Sequence, residues 1–342
     1  MRTKVLKLFG DYAAKVGPGM LYRALTAVYL FDFLDRLRTL GYPADWYAVL
    51  EHDLEHLAAG TAMFEKMFDF SKNDFKFWLD ENGKKDLEER TGRVYFDLWK
   101  DFGKEEFYKE ALANLRERFE KNGISVAAVT HALDDGCGSG RYSFALKSLG
   151  CAHVQGIDIS PDSVALARKM SPFSPQEVEF TQGSVLKLPF ADGAFDFILS
   201  NGVLHHTKST EDGLLEIHRV LKNGGACWLY LYGGKESLFW DIVDLSRKLL
   251  DGVPQIYIQS LMKTMGYPPG RIFHRTDFFY VPVNHRYFAH EVEVMLKNAG
   301  FHDFRRLKRG VAYDWDEIIH QHPRIDPYIF GEGEMRYLVS KK

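Results

Sequence analysis

Cysteine is scarce, with three residues in 342: Cys137, Cys151 and Cys227. So sparse and odd a set makes no disulfide framework, and a reducing compartment, the cytoplasm, is expected. No apolar run approaches the roughly eighteen residues of a spanning helix. The basic start, Met1 to Lys7, meets Asp11 and Lys15 before any clean apolar stretch of a secretory signal develops. An excess of one charge sign is also missing, since 44 Lys and Arg stand against 47 Asp and Glu. That excludes the strongly basic footprint of a dedicated nucleic-acid binder. Internal repeats and low-complexity stretches are absent. What is present is an ordinary globular balance, 46% apolar and 27% charged, over a length that suits about two domains. Aromatic residues reach 14% and gather outside the middle of the chain.

The hydrophobic period divides the chain into three blocks. Residues 1–125 read as helical. Leu21, Leu25, Val28, Phe31, Leu34, Leu37 and Leu40 recur at spacings of three and four, up to a stop at Gly41-Tyr42-Pro43. Trp46, Leu50, Leu54 and Leu57 mark a second helix, and Phe107, Ala111, Leu115 and Phe119 a third. From 126 to 232 short apolar runs alternate with helical stretches. Strands are expected at Ala132-Leu133, Val154–Ile157, Val178–Phe180, Phe195–Leu199 and Ala226–Tyr232. Helices are expected at Arg141–Leu149, from Ser160-Pro161, and from Ser209 to Leu221. Repeated β-α units predict an α/β fold, a parallel sheet with helices on both faces. Residues 233–283 leave that pattern, being aromatic, proline-containing and only partly helical. His290–Asn298 and Met335–Ser340 then restore a helix and a last strand. The expected layout is a helical N-terminal cap domain, 1–125, followed by an α/β domain, 126–342, with a lid or substrate-wall insertion at 233–283. The cap and the insertion are expected to roof the active site together.

The sharpest local signal is Asp134-Asp135-Gly136-Cys137-Gly138-Ser139-Gly140-Arg141, between a strand and a helix. Glycines at alternate positions let the backbone turn tightly and approach a ligand closely. The helix that follows offers unpaired N–H groups. Beyond it, Asp158 ends the next strand, where a carboxylate can accept two hydrogen bonds from a ribose diol. A nicotinamide site would want Gly-x-Gly-x-x-Gly, and here the third glycine comes one residue early. Asp134 would oppose a pyrophosphate and suits a cationic ligand.

This constellation resembles the class I S-adenosylmethionine (SAM)-dependent methyltransferases, of the type 11 group that includes ubiquinone and menaquinone methyltransferases. Leu188-Pro189-Phe190 and Arg219-Val220-Leu221-Lys222-Asn223-Gly224-Gly225 match the same pattern. The resemblance covers about 126–232 closely and 284–342 loosely. It implies a Rossmann-like, seven-stranded sheet whose last strand is antiparallel, with SAM as cofactor and S-adenosylhomocysteine (SAH) as product. It also implies that Asp134 orients the methionine amino group and that Gly136, Gly138 and Gly140 floor the cofactor. Asp158 would hold the ribose, with Ile159 against adenine. Ser184, where the family often carries an acid, and Val185 would lie at the adenine edge. Ser200 and Asn201, opening Ser200-Asn201-Gly202-Val203-Leu204-His205-His206, would border cofactor and acceptor. Asp135 stands where the family is usually apolar or small, and its side chain needs a polar partner.

His206 and His205 are the candidate general bases, since imidazole titrates near neutral pH; packing and backbone hydrogen bonding are the plain alternative. Tyr230, Tyr232, Trp240, Arg286 and Tyr287 are candidates for the acceptor pocket, because ligands of open α/β sheets bind at the carboxyl ends of strands. Tyr95, Phe96 and Trp99 read as an aromatic lid or as the packing of a helical cap. No metal is expected, since His285/His290 and His320/His322 lack carboxylate or cysteine companions at ligand spacing. The basic run Arg305–Arg309 reads as a solvated face. The expected activity is methyl transfer from SAM to a small or medium-sized molecule, O-methylation favoured, with no nucleic-acid partner and no membrane span. The acceptor and the oligomeric state stay open. Two other readings stand beside it. One is a nicotinamide-dependent oxidoreductase, opposed by the glycine spacing and Asp134. The other is a noncatalytic SAM-binding or scaffold protein, which Ser184 keeps open.

Overall fold

The computed structural model describes residues 2–15, 19–39, 41, 45–67, 104–323 and 326–342. The chain divides into one unit made of Met1–Lys85 and Glu236–Tyr280 and another made of Asp86–Lys235 and Val281–Lys342. This departs from the expected 1–125 and 126–342 partition in two ways. The excursion after the fifth strand packs with the N-terminal helices, and the helix Lys104–Lys121 belongs with the sheet.

In the first unit the helices Arg2–Lys15, Met20–Thr39 and Trp46–Met67 are joined by Leu238–Leu249, Gln255–Thr264 and Pro269–Tyr280. Segment 233–283 is therefore mainly helical, where the sequence suggested only partial helix. Two of its prolines sit where helices begin: Pro254 caps one and Pro269 opens the next. Leu238, Phe239, Ile242, Val243 and Leu249 form a buried stripe at helical spacing. Phe31 meets this region edge-on, 5.6 Å from Phe239 and 5.1 Å from Phe279. Asp32 binds Tyr267 and the buried Arg275. Arg23 donates to the carbonyls of Leu249 and Asp251, which the helix end leaves without partners of its own.

The second unit runs α1 (Lys104–Lys121), β1 (His131–Asp135), α2 (Arg141–Ser148), β2 (His153–Asp158), α3 (Pro161–Met170), β3 (Val178–Gln182), β4 (Phe195–Asn201), α4 (Thr210–Val220), β5 (Leu221–Leu231), α5 (Ala289–Asn298), β6 (Asp303–Arg306), α6 (Trp315–Gln321), α7 (Asp326–Phe330) and β7 (Met335–Ser340). The sheet order is β3-β2-β1-β4-β5-β7-β6. Strands β1 to β5 pair in parallel, and β7 is antiparallel to both β5 and β6. This is the seven-stranded sheet that the resemblance implied.

Alternation along the strands builds two cores. Leu133, Ile198, Leu229 and Leu231 pack with Leu214 and Ile217 of α4 and Val292 and Leu296 of α5. Ala132, Phe197, Leu199 and Trp228 pack with Leu115 and Phe119 of α1, Phe144 of α2 and Val164 of α3. Phe119 lies 5.9 Å from Phe197 and 5.3 Å from Trp228, which holds α1 to the sheet. Local chemistry starts the helices as the sequence suggested. Ser160 accepts from the Ser163 N–H ahead of Pro161, and Ser209 accepts from the Asp212 N–H.

Residues 307–334, between β6 and β7, form an excursion for which the sequence suggested no elements. Buried ion pairs hold it. Arg118 of α1 donates to both oxygens of Asp314, at 2.8 and 2.7 Å. Arg336 of β7 reaches Asp314 at 2.9 Å and also binds Glu334. Glu317 pairs with Arg309 at 3.0 Å and Lys121 at 3.3 Å. The basic run is thus partly tied into the fold, since Arg305 also donates to the Asn122 carbonyl and Arg306 to that of Glu332.

Candidate active site

At the end of β1 the chain turns through Gly136, Gly138 and Gly140, with φ of 76°, 53° and 84°. A Cβ on Gly136 would lie 2.5 Å from both Val203 methyls, and one on Gly140 would lie 2.7 Å from the Phe180 ring. Positive φ and close packing together reserve these two positions for glycine. The Gly136 and Cys137 N–H groups bond the Ile157 carbonyl at 2.9 and 2.8 Å, which ties the loop to β2. Asp158, half-buried at the end of β2, accepts the Gly138 N–H on Oδ2 at 2.8 Å and the Ser160 N–H on Oδ1 at 2.9 Å. Each oxygen keeps capacity for another donor. Burial raises the Asp158 pKa, and the two amides pull it back. That donor set suits a vicinal diol. Beside it the half-buried Ile159 gives its carbonyl to the Gln182 amide at 3.4 Å. The Ser184 hydroxyl accepts from the Leu186 N–H at 3.2 Å.

The two adjacent aspartates of β1 point to opposite faces. Asp134 is 2% exposed and accepts a 2.6 Å hydrogen bond from the Ser143 hydroxyl of α2. Burial pushes its pKa up to about 7. Asp135 is buried on the other face, opposite Ser200 in the β1–β4 register. Neither Asp135 oxygen nor the Ser200 hydroxyl makes a hydrogen bond of normal geometry. Burial pushes Asp135 to about 7 as well, eased by the facing Ser200. The polar partner expected for Asp135 is therefore a weak one. Ser200 and Val185, expected at the cofactor, have side chains in the core, because the strand and loop that carry them turn those positions inward. Asn201, one residue further along β4, is half-buried.

After β4, Gly202 leads into a single 3-10 turn, Leu204–His206. His205 is 0% exposed. Its Nδ1 accepts the Tyr232 N–H at 3.2 Å, and its ring stacks on Tyr232 at 3.8 Å. Burial holds it neutral by pushing its pKa well below the usual range. With that lone pair used and the ring enclosed, His205 is a packing residue, the plain alternative of the sequence reading. His206 is 5% exposed, and its Nδ1 lies 2.7 Å from the Val283 carbonyl. A carbonyl only accepts, so Nδ1 carries a proton, and in the neutral ring Nε2 then carries the lone pair.

The segment 283–287 is stitched along this turn. The His285 N–H donates to the His205 carbonyl at 2.9 Å, and its ring Nε2 to the Thr207 carbonyl at 3.1 Å. The Tyr287 N–H donates to the Tyr232 carbonyl at 3.0 Å, and its hydroxyl meets that of Thr210 at 2.8 Å. Arg286 donates to the Asn284 side chain at 3.4 Å. Tyr230 is half-buried under the Arg336 guanidinium, 4.6 Å from its ring centre. Tyr230, Tyr232, Arg286 and Tyr287 thus share the carboxyl end of β5 with His206. Trp240 belongs to the first unit. It is 1% exposed in the core of the first unit, 5.2 Å from Phe239 and 5.5 Å from Phe278. Tyr95, Phe96 and Trp99 lie outside the described residues.

Two contributors escaped sequence reasoning. Ser143 stands in the first turn of the helix after the loop, a spacing that could have suggested a partner for Asp134. Val283 acts through its carbonyl and leaves no side-chain signal. Among the described residues no group of three His, Cys, Asp or Glu stands close enough to hold a metal ion. No described helix is long and apolar enough to cross a membrane.

A family model described as a methyltransferase domain matches residues 133–229, from β1 through β5. The demethylmenaquinone methyltransferase of Chlorobaculum parvum is 34% identical over 97 residues, covering 28% of this chain and 39% of that protein. A sterol 24-C-methyltransferase of Gibberella zeae is 26% identical over 236 residues, covering 61% and 60%. The tRNA U34 carboxymethyltransferase of Shewanella piezotolerans is 36% identical over 104 residues, covering 30% and 31%. The chain therefore spans less than two thirds of the length of each of these relatives. Among solved structures, a SAM-dependent methyltransferase from Mesorhizobium loti is similar at 16% identity and a TM-score of 0.43, covering 65% of this chain and 96% of that one.

Proposed function

We propose that this chain is a class I SAM-dependent methyltransferase of the type 11 group, with SAM as its cofactor, and that it transfers a methyl group to a small or medium-sized acceptor, a hydroxyl oxygen first, with His206 as base. SAM, when bound, supplies a methyl already activated on a positively charged sulfur. The protein's tasks are then to orient the partners, exclude water and take up one proton. Orientation by itself contributes about 7–11 kcal/mol to such a step.

The residues of the loop fit the cofactor. Asp158 has acceptor capacity left on both oxygens for a ribose diol. Asp134, pushed to about 7, ionises readily when a cationic amino group approaches. The observation that carries the base assignment is the His206 tautomer. The Val283 carbonyl holds the proton on Nδ1 and leaves Nε2 as the acceptor. A carbon acceptor is the second reading, suggested by the sterol 24-C relative. His206 would then take the proton that the methylated carbon gives up.

Labelled SAM incubated with cell extract will identify the acceptor. On that acceptor, His206→Gln is expected to lower kcat by about 10²–10⁴-fold while SAH affinity stays within twofold, roughly. An unchanged kcat removes His206 from the chemistry. Calorimetry that finds no SAH binding to well-folded protein at millimolar ligand overturns the methyltransferase reading itself.

A further inference from the structure

The turn after β4 closes only part of its own hydrogen bonding. The His206 and Thr207 N–H groups return to the Val203 and Leu204 carbonyls, at 2.9 and 3.1 Å. The carbonyls of His205 and Thr207 lie at the end of the turn, where a helical turn supplies no donor of its own. One residue takes both. The half-buried His285 donates its main-chain N–H to the His205 carbonyl at 2.9 Å and its ring Nε2 to the Thr207 carbonyl at 3.1 Å. A carbonyl only accepts, so that ring nitrogen carries a proton. His285 thus grips the turn on both sides of His206. Two residues before it, the Val283 carbonyl receives His206 Nδ1 at 2.7 Å. Two residues after it, the Tyr287 N–H holds the Tyr232 carbonyl at 3.0 Å. The seating of His285 therefore sets where the Val283 carbonyl stands against the His206 ring.

We propose that His285 is a positioning residue of the methyl transfer: by clamping the carbonyls on either side of His206 it fixes the Val283 carbonyl against His206 Nδ1, and so holds the imidazole in the tautomer and orientation that a base needs. The proposal rests on the reading of His206 as base, and His285 itself touches no reacting atom. When His206 takes up the acceptor's proton, positive charge spreads over its ring. The Nδ1–H bond to the Val283 carbonyl then becomes charge-assisted, and so shorter and stronger. A carbonyl displaced by about an ångström would forfeit that gain and misalign the ring. His205, kept neutral by burial with His206 and His285 as neighbours, adds no competing charge. The neighbouring hydroxyls reinforce the same turn, since Thr207 and Thr210 both donate to the Leu204 carbonyl, at 2.7 and 3.1 Å.

The test begins with nitrogen NMR of the whole chain carrying isotope-labelled histidine. It reads the tautomer of His206, whose signals are those missing from His206→Gln. In the wild type the proton is expected on Nδ1. His285→Leu, which removes the bond to Thr207, is expected to turn His206 into a mixture of tautomers. The maximal rate of methyl transfer, measured from labelled SAM over a dilution series of cell extract, should fall about 10–100-fold in that variant. The half-saturating amount of extract and the SAH affinity should stay within about twofold, so that the loss falls on kcat and not on KM. His285→Gln, whose amide N–H reaches as far as Nε2, should restore the tautomer and most of the rate. His285→Asn, one bond shorter, should not. Denaturant unfolding identifies a variant that has lost its fold; should His285→Leu be one, the two amide variants carry the comparison. An unchanged tautomer and rate in His285→Leu and His285→Asn overturn the clamp. So does a His285→Gln no better than His285→Asn, which would make His285 a packing residue. A tautomer that shifts while the rate holds overturns the base reading together with the clamp. A rate that falls in His206→Gln but in neither His285→Leu nor His285→Asn overturns the clamp alone.

Discussion

Around β1 and β2, Asp134, Asp135 and Asp158 are buried or half-buried, and among the described residues no cation contributes to their ionisation. On the β5–β7 side, Asp314 lies between Arg118 and Arg336, with Glu334 on the same Arg336. The two regions respond oppositely. Asp134 and Asp135 are pushed up to about 7, whereas Asp314 is held down at about 2 by its two guanidinium groups. Glu334, beside Asp314, rises despite Arg336, because the effect of burial outweighs the pairing. The paired charges fasten the 307–334 excursion to α1 and β7. The carboxylates Asp134 and Asp158 at the glycine loop have hydrogen-bond donors but no cation, and in the proposed reading the cofactor brings them further donors. Asp135 belongs to neither group: it faces the core and has only Ser200.

The largest effect that tests this contrast is expected on the paired side. Asp314→Asn leaves Arg118 and Arg336 buried without their shared anion and should cost about 3–5 kcal/mol. Denaturant unfolding of the variant measures it, and a loss below about 1 kcal/mol, the scale of a surface ion pair, would show that the network does not carry the excursion. At the loop the effect should fall on binding. Asp158→Ala removes two charge-assisted bonds to the ribose, about 1.5–3 kcal/mol each at most, so SAH affinity should drop tenfold or more, since about 1.4 kcal/mol is a factor of ten. The melting temperature of the free protein should move little, and unchanged affinity would put the ribose anchor elsewhere.

The smallest effect has the opposite sign. Asp135→Val, which replaces a poorly partnered buried carboxyl by an apolar group, should stabilise the protein by about 1–3 kcal/mol near pH 8. The pH dependence follows from the raised pKa. An unfolded aspartate ionises near 3.9, roughly, and the folded Asp135 near 7. Between these values the unfolded chain releases a proton that the folded one keeps, so wild-type stability declines as pH rises from about 4 to 7 and levels off above. The valine variant lacks that slope, and its advantage grows from pH 5 to pH 8. Equal gains at both pH values would show that Asp135 does not titrate in this range.

The local signals were legible because the contacts behind them are local. Three alternate glycines, an aspartate at the end of the next strand, and serines that cap the helices at Ser160 and Ser209 all act within a few residues or across one strand pair. From these and the β-α alternation, the sheet, the glycine loop and the resemblance to methyltransferase domains followed. His206 was legible as a residue but not as a tautomer, since the carbonyl that sets it lies 77 residues away. The register of β1 against β4 put Asp135 and Ser200 in the core, and strand alternation turned Asp134 the other way, onto Ser143.

Sequence by itself determined where the backbone turns tightly, where helices begin and which carboxylates stand at strand ends, because sterics and capping act over a few bonds. Only the tertiary structure decided that residues 236–280 join the N-terminal helices, that Trp240 is a core residue, and that Arg118 meets Asp314 across 196 positions. Burial and charge pairing depend on what the rest of the chain brings alongside, and no residue carries that information in its own neighbourhood.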